Sequence, residues 1–390
     1  MAYVYQNCIL NISADAAKGP NDGCYSTRDP ALISELRLPA GFNTTTILLD
    51  DLCGFKSLQS TTLSKRGWVV QERLLSPRVL HMGPLQITWE CREMPSACEC
   101  HPNGDPEGGD GFPFVLDTSR LADSPEARIR YSYYLIVEHY TACNLSFPDT
   151  DKLVAFAAIA QQASGLLNDQ YVAGLFWSTL LVQFQWTISK SDLDDRRSYR
   201  ARGEYRAPSW SWASIDGPVN FTEGGPVSVH SSIAGSESML AKLLEYSADL
   251  IDPQNPFGGV ACGTRISISG YLLPLDPNLL RYNRQDCMKL STVKNLSESS
   301  HHIDEGESVS VRMDELELSF PIKHDGSLFF FPILVNNSPL WNSNKVCGLI
   351  LMRSSQSRGY CRIGYGGWDG DIGRFRAMIQ RLGVQRFNIY

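Results

Sequence analysis

The chain has 390 residues, enough for one large domain or two ordinary ones. Its 43% hydrophobic and 20% charged content is that of a globular chain, which excludes a disordered or fibrous class. The net charge of -7, from 35 basic and 42 acidic residues, comes with no Lys/Arg stripe and so argues against nucleic-acid binding.

In chain order, residues 1–20 read as a helix running into a strand, ended by the turn Gly19-Pro20-Asn21-Asp22-Gly23. Ile47, Leu48 and Leu49 read as a short strand. Residues 58–76 read as a helix stopped at Ser76-Pro77, since proline lacks an N–H and restricts the residue before it. Residues 85–91 alternate as a strand does, and residues 101–113 are an exposed loop rich in glycine and proline. Ser124, Pro125 and Glu126 open a helix to 143, and Asp149-Thr150-Asp151 opens another. The apolar run from Tyr171 to Trp186 reads as a third helix. Residues 191–207 are a polar link in which Arg196, Arg197, Arg200, Arg202 and Arg206 alternate with acidic residues. From Pro208 the runs 264–273, 309–319, 328–335, 346–353 and 360–365 read as strands, with a mobile loop at 292–307. The expected architecture is α+β: a helical, mixed region over 1–190 packed on a β-rich region over 208–390.

No apolar stretch reaches the ~18 residues of a membrane span. The N-terminus lacks the basic and apolar parts of a secretory signal, so a cytoplasmic location is expected. The 11 cysteines are odd in number and irregularly spaced, and read as reduced, small buried hydrophobes. Cys91, Cys98, Cys100 and His101 lack the paired spacing of a structural zinc site. No phosphate-binding loop, dinucleotide fingerprint or nucleophile elbow occurs, so no cofactor and no metal are expected.

The most informative segment is Lys65-Arg66-Gly67-Trp68-Val69-Val70-Gln71-Glu72-Arg73-Leu74-Leu75-Ser76-Pro77-Arg78. It resembles the central signature of the fungal heterokaryon-incompatibility domain. Further segments resemble the same family in order: Val4 to Ala14, Gly23 to Arg28, Gln86 to Cys91, Asp151 to Ala160, Tyr171 to Trp177 and Tyr205 to Ser214. The family's usual upstream stretch, A-L-S-Y-x-W-G followed by A-W-I-D-x-x-C-I-x-Q, is not in this sequence, so the resemblance is to an N-terminally truncated member.

The candidate acid/base groups are Glu72 and Arg73, or Glu72 with His81; the alternative is a structural ion pair under a tryptophan. Trp68, Trp89, Trp210 and Trp212 are candidate walls for an apolar substrate, with Trp177 and Trp186 able to serve likewise. Pro208-Ser209-Trp210-Ser211-Trp212, read as an extended strand, puts two indoles on one face, where they either pack a core or line a pocket. The resemblance implies two kinds of function. One is a cofactor-free cyclase or isomerase of the pericyclic, Diels–Alder type, acting on an apolar fungal secondary metabolite such as a terpenoid. The other is allorecognition and cell death through protein–protein interaction. The sequence does not indicate an oligomeric state.

Overall fold

The computed structural model describes residues 2–28, 58, 61–92, 97–99, 102–103, 124–189, 205–221, 239–275, 280–283, 287–290, 308–314, 328–335, 346–354 and 358–390. The fold is α+β, and the chain divides into two compact units, Met1–Ser146 and Phe147–Tyr390. The helical segments after Phe147, expected to belong with the N-terminal region, fall in the second unit. The expected strand at 47–49, almost all of the loop at 101–113, most of the 191–207 link and the 292–307 loop lie outside the described residues.

In the first unit, α1 (Ala2–Gln6) leads into β1 (Asn11–Ser13). The signature segment forms α2 (Gly67–Leu75), which ends at Ser76 in extended backbone as the following proline requires. Then come β2 (Arg78–Met82), β3 (Ile87–Cys91) and β4 (Ala97–Cys98). The four strands form one sheet in chain order, β1 parallel to β2 and the rest antiparallel. Helix α3 (Pro125–Ala142) starts as expected: the Ser124 hydroxyl accepts from the Ala127 N–H at 3.2 Å, with proline in the first turn. Its buried face carries Tyr133, Ile136, Val137 and Tyr140, the 3.6-residue spacing of one helix side.

The second unit opens with α4 (Pro148–Asp151), a 3₁₀ turn and α5 (Ala157–Leu167), which ends at Asn168 in the left-handed conformation. The run 171–186 is not one helix. It is a hairpin, β5 (Tyr171–Val172) and β6 (Leu175–Phe176), then a 3₁₀ turn and the short α6 (Leu180–Gln183). Ala173 and Gly174 form the two-residue turn, both at positive φ (42° and 100°). That twist suits a tight hairpin and forbids a continuing helix. An apolar run without polar punctuation has no periodicity to separate the two outcomes.

After the pair β7 (Thr187–Ile188) and β8 (Val219–Asn220), the rest is dominated by a ten-stranded sheet. Its strands are β9 (Lys242–Ser247), β10 (Arg265–Gly270), β11 (Leu273–Leu275), β12 (Leu280–Asn283), β13 (Cys287–Leu290), β14 (Ser308–Met313), β15 (Leu328–Val335), β16 (Val346–Arg353), β17 (Tyr360–Asp369) and β18 (Gln385–Ile389). The main path runs β11-β15-β16-β17-β14-β13-β12, with β18 pairing both β17 and β10, and β9 on the far side of β10. Pro332, inside β15, is tolerated because the β15–β16 register shifts beside it. Its partner Gly348 must lack a side chain, since a Cβ there would sit 2.0 Å from the Phe331 carbonyl oxygen.

Strands β9, β12, β13 and β18 had not been expected, nor had α7 (Ile372–Leu382), capped by the Asp371 carboxylate, which accepts from the Arg374 N–H at 2.7 Å. It lays Phe375 and Ile379 on a core of Leu273, Val309, Phe330, Ile350 and Trp368. No helix among the described residues is long and apolar enough to cross a membrane.

Candidate functional site

The first unit holds a buried charged network. In β2 and β3 the alternation that sends apolar residues inward in an ordinary sheet sends His81, Thr88 and Glu90 inward instead. Arg73, from the buried face of α2, donates from Nε to Glu90 Oε2 at 2.7 Å and from Nη2 to Oε1. His81 lies between two carboxylates, with Nδ1 2.7 Å from Asp15 Oδ2 and Nε2 3.0 Å from Glu90 Oε2. The Thr61 hydroxyl, 3.4 Å from Asp15 Oδ1, also donates to the network.

A neutral imidazole has one N–H and would turn a lone pair on one of these carboxylates, whereas an imidazolium donates to both. Burial acts to lower the His81 pKa, but the bonds to Asp15 and Glu90 outweigh it and hold it above the usual histidine value. Burial likewise acts to raise Asp15 and Glu90; the bonds and charges of His81, Ser13 and Arg73 for the first, and those of Arg73 and His81 for the second, together outweigh it and keep both below the usual carboxylate range. The result is two cations facing two anions.

Of the expected site residues, Arg73 belongs to this network and Glu72 does not. Glu72 is half-buried and bonds to the Tyr5 hydroxyl. Burial, above all, raises its pKa, and burial followed by the Glu72 charge raises that of Tyr5 to about 12. His81 answers to Asp15 and Glu90 rather than Glu72. Trp68 on α2 and Trp89 on β3 are half-buried. Trp89 is adjacent to Glu90 along β3, so it points to the opposite sheet face from the network. Asp15 carried no signal in the sequence. With Arg73, His81, Asp15 and Glu90 all at most 8% exposed, the network suits holding α2, β2, β3 and the turn after β1 together, not contacting a substrate.

Trp210 and Trp212 lie in the second unit and are fully buried. Their segment is not an extended strand but a turn leading into a 3₁₀ helix, Trp212–Ser214. The indoles therefore pack separately. Trp212 meets Phe156 edge-on and donates to the Gly174 carbonyl at 2.8 Å, while Ser211 donates to Ala173 at 2.6 Å. Trp210 packs on Phe184 and Tyr246. Trp186 donates to the Trp210 carbonyl at 3.0 Å and takes the Arg362 guanidinium over its ring, 3.4 Å from the centroid. The motif thus clamps the 171–176 hairpin. Beside it Arg206 bonds Asp216 at 2.7 Å and the Ala213 carbonyl at 2.7 Å. Lys152 is buried there, donates to Ile215, and has its pKa pulled down to about 7 by burial and then by Arg206.

The second unit contains a cavity of about 410 Å³ lined by Gln170, Tyr171, Tyr246, Ala248, Leu250, Pro256 and Phe257. Among the described residues no charged side chain is in that lining. Tyr171 and Phe257, both in its wall, pack on each other with centroids 5.2 Å apart, and Tyr246, on β9, is backed by Trp210 at 6.3 Å. Both rims are braced. The Asp169 carboxylate takes the Ser178 N–H at 3.1 Å, and Ile251 and Ala261 bond Gly259 and Asp249 across a turn. Burial, above all, raises the pKa of both Tyr171 and Tyr246, so both phenols stay protonated at neutral pH. Tyr171 lies in a segment the sequence flagged; Tyr246 and Phe257 do not. Among the described residues no group of three His, Cys, Asp or Glu side chains is placed to hold a metal ion. No family model matches the chain, and neither a curated protein nor a solved structure does.

Proposed function

We propose that this chain is a heterokaryon-incompatibility-like protein acting as a cofactor-free cyclase or isomerase on a neutral, apolar small molecule, with a Diels–Alder-type closure of a fungal secondary metabolite such as a terpenoid as the specific reaction. The observation that carries this is the braced, uncharged, aromatic-lined cavity, whose size falls in the range of small-molecule sites. Such a closure converts three π bonds into two σ bonds and one π bond within one molecule. No atom leaves and nothing is oxidised. A surface that folds the substrate into a near-attack arrangement removes much of the entropic barrier, and one hydrogen-bond donor lowers it further. The family assignment rests on the order and length of the matching motifs. The site assignment differs from the sequence expectation: the cavity takes the role given to the tryptophans, and Glu72 and Arg73 take structural ones.

The experiment is deletion of the gene in its source organism with metabolite profiling. Loss of one product and accumulation of an isomer of equal mass is the expected result; an unchanged profile counts against the enzyme. A second possibility, allorecognition through protein contacts, is favoured by Tyr3, Val4, Ile9 and Ile12, which are 56–84% exposed along α1 and β1. It predicts an unchanged profile together with altered survival of fused unlike cells.

A further inference from the structure

The chemistry of the lining narrows the ligand. Among the described residues the lining has no charged side chain to partner a phosphate or a carboxylate, so an ionic ligand would lose hydration there uncompensated. Tyr171, Tyr246 and Phe257 present rings, which favour flat, conjugated partners. The polar side chains of the lining are Gln170 and the two tyrosines, whose hydroxyls donate. The half-buried Tyr246 puts a phenol in the lining, and burial, above all, keeps its proton on. Its ring is backed by Trp210, with the ring centroids 6.3 Å apart. A protonated phenol on the wall of an apolar cavity is a hydrogen-bond donor for an acceptor that enters it.

We infer that, within the function proposed above, the cavity takes a flat, conjugated, neutral carbonyl compound, with the Tyr246 hydroxyl donating to its carbonyl oxygen. That bond draws electron density from the conjugated system, which is the activation a dienophile or an enone needs for ring closure. Tyr246 sits on β9, held in register by Tyr246↔Ile266 pairing with β10, so its hydroxyl is aimed by the sheet and not by a free loop.

Calorimetric titration of the full chain with 2-acetylnaphthalene and with 2-ethylnaphthalene tests this, since the two differ in the carbonyl. The ketone is expected to bind more tightly. Tyr246→Phe is expected to weaken the ketone about fivefold, the loss of one hydrogen bond, and leave 2-ethylnaphthalene unchanged. Ala248→Phe, which fills the cavity and spares the hydroxyl, is expected to abolish binding of both. Equal loss for both probes in Tyr246→Phe, or no loss for either, overturns the donor role of Tyr246 while the cavity remains a binding site. Failure of both probes to bind the folded wild-type chain overturns the inference and removes the cavity from the proposed function as well.

Discussion

Arg73 holds Glu90 through both arms of its guanidinium, although the sequence neighbour of Arg73 is another glutamate, Glu72. The geometry of a helix explains the choice. Consecutive residues leave α2 about 100° apart, so Arg73 faces the sheet while Glu72 turns toward α1 and Tyr5. Arg73→Met would leave Glu90 buried and charged without its main partner, at a cost of ~3–5 kcal/mol. Glu72→Gln keeps a polar group on the half-buried side and would cost under ~1 kcal/mol. Denaturant unfolding of the two variants measures the difference, and equal costs would mean the Arg73–Glu90 pair carries no special weight.

The same network sets a pH window for the first unit. His81, with its folded pKa raised, contributes stability below its unfolded value and loses it as pH climbs through the folded one. Asp15 and Glu90, with folded values depressed, contribute above the ordinary carboxylate range and lose it as pH falls through their folded values. His139 adds an acid limb of its own. Burial, then the charge of Arg73, holds it down to about 4, so its unfolded form binds a proton first and stability falls between the ordinary histidine value and pH 4. His139→Gln should flatten that limb in thermal melts taken across this range, leaving the alkaline loss from His81 in place. A variant that keeps the full acid slope would show that His139 is not its source.

In the second unit Lys152 gives a slope opposite to the alkaline loss from His81. Its folded pKa near 7 lies below the unfolded value of 10.5, so between them the unfolded chain binds the extra proton and stability rises with pH. Lys152→Met should remove the rise. Unfolding followed between pH 7 and 10 by a probe in the second unit, such as the emission of Trp210 and Trp212, reports it. An identical slope in the variant would place the proton elsewhere.

Gly174→Ala should be among the most damaging single changes in the 171–176 hairpin. Gly174 sits at φ 100°, and an added Cβ would lie 2.7 Å from the Trp212 indole nitrogen. A loss of ~2 kcal/mol or more is expected from strain and displacement of the indole. Gly165→Ala, inside α5 with nothing within 4 Å, should instead gain up to ~1 kcal/mol. Melting temperatures moving in the same direction for both would contradict this account of the hairpin.

What could be read from the sequence was local. Ser124 and Pro125 announced α3, the Ser76-Pro77 stop fixed the end of α2, and the β-branched and aromatic runs of β15 and β16 identified themselves. The misread segment was 171–186, where an unbroken apolar run has no polar punctuation to reveal a period. Helix α7 had its signals, Asp371 at the start and Gly383 after the end, but lay behind a run of strands that suggested more of the same. The network could be read only in part. Arg73 stood in the signature segment and His81 three residues beyond its end, whereas Asp15 joins them from 66 positions before His81. Tyr246 came from Lys242–Ser247, a strand too weakly alternating to stand out.

The activity proposed for the second unit is the conversion of an apolar metabolite without help from a cofactor. Extract from the deletion strain, incubated with the purified chain in the presence of a metal chelator, tests it most directly. The account predicts that one compound disappears and an isomer of the same mass appears, that Tyr246→Phe slows the conversion and that Ala248→Phe stops it. An extract left unchanged by the folded wild-type chain would contradict the account.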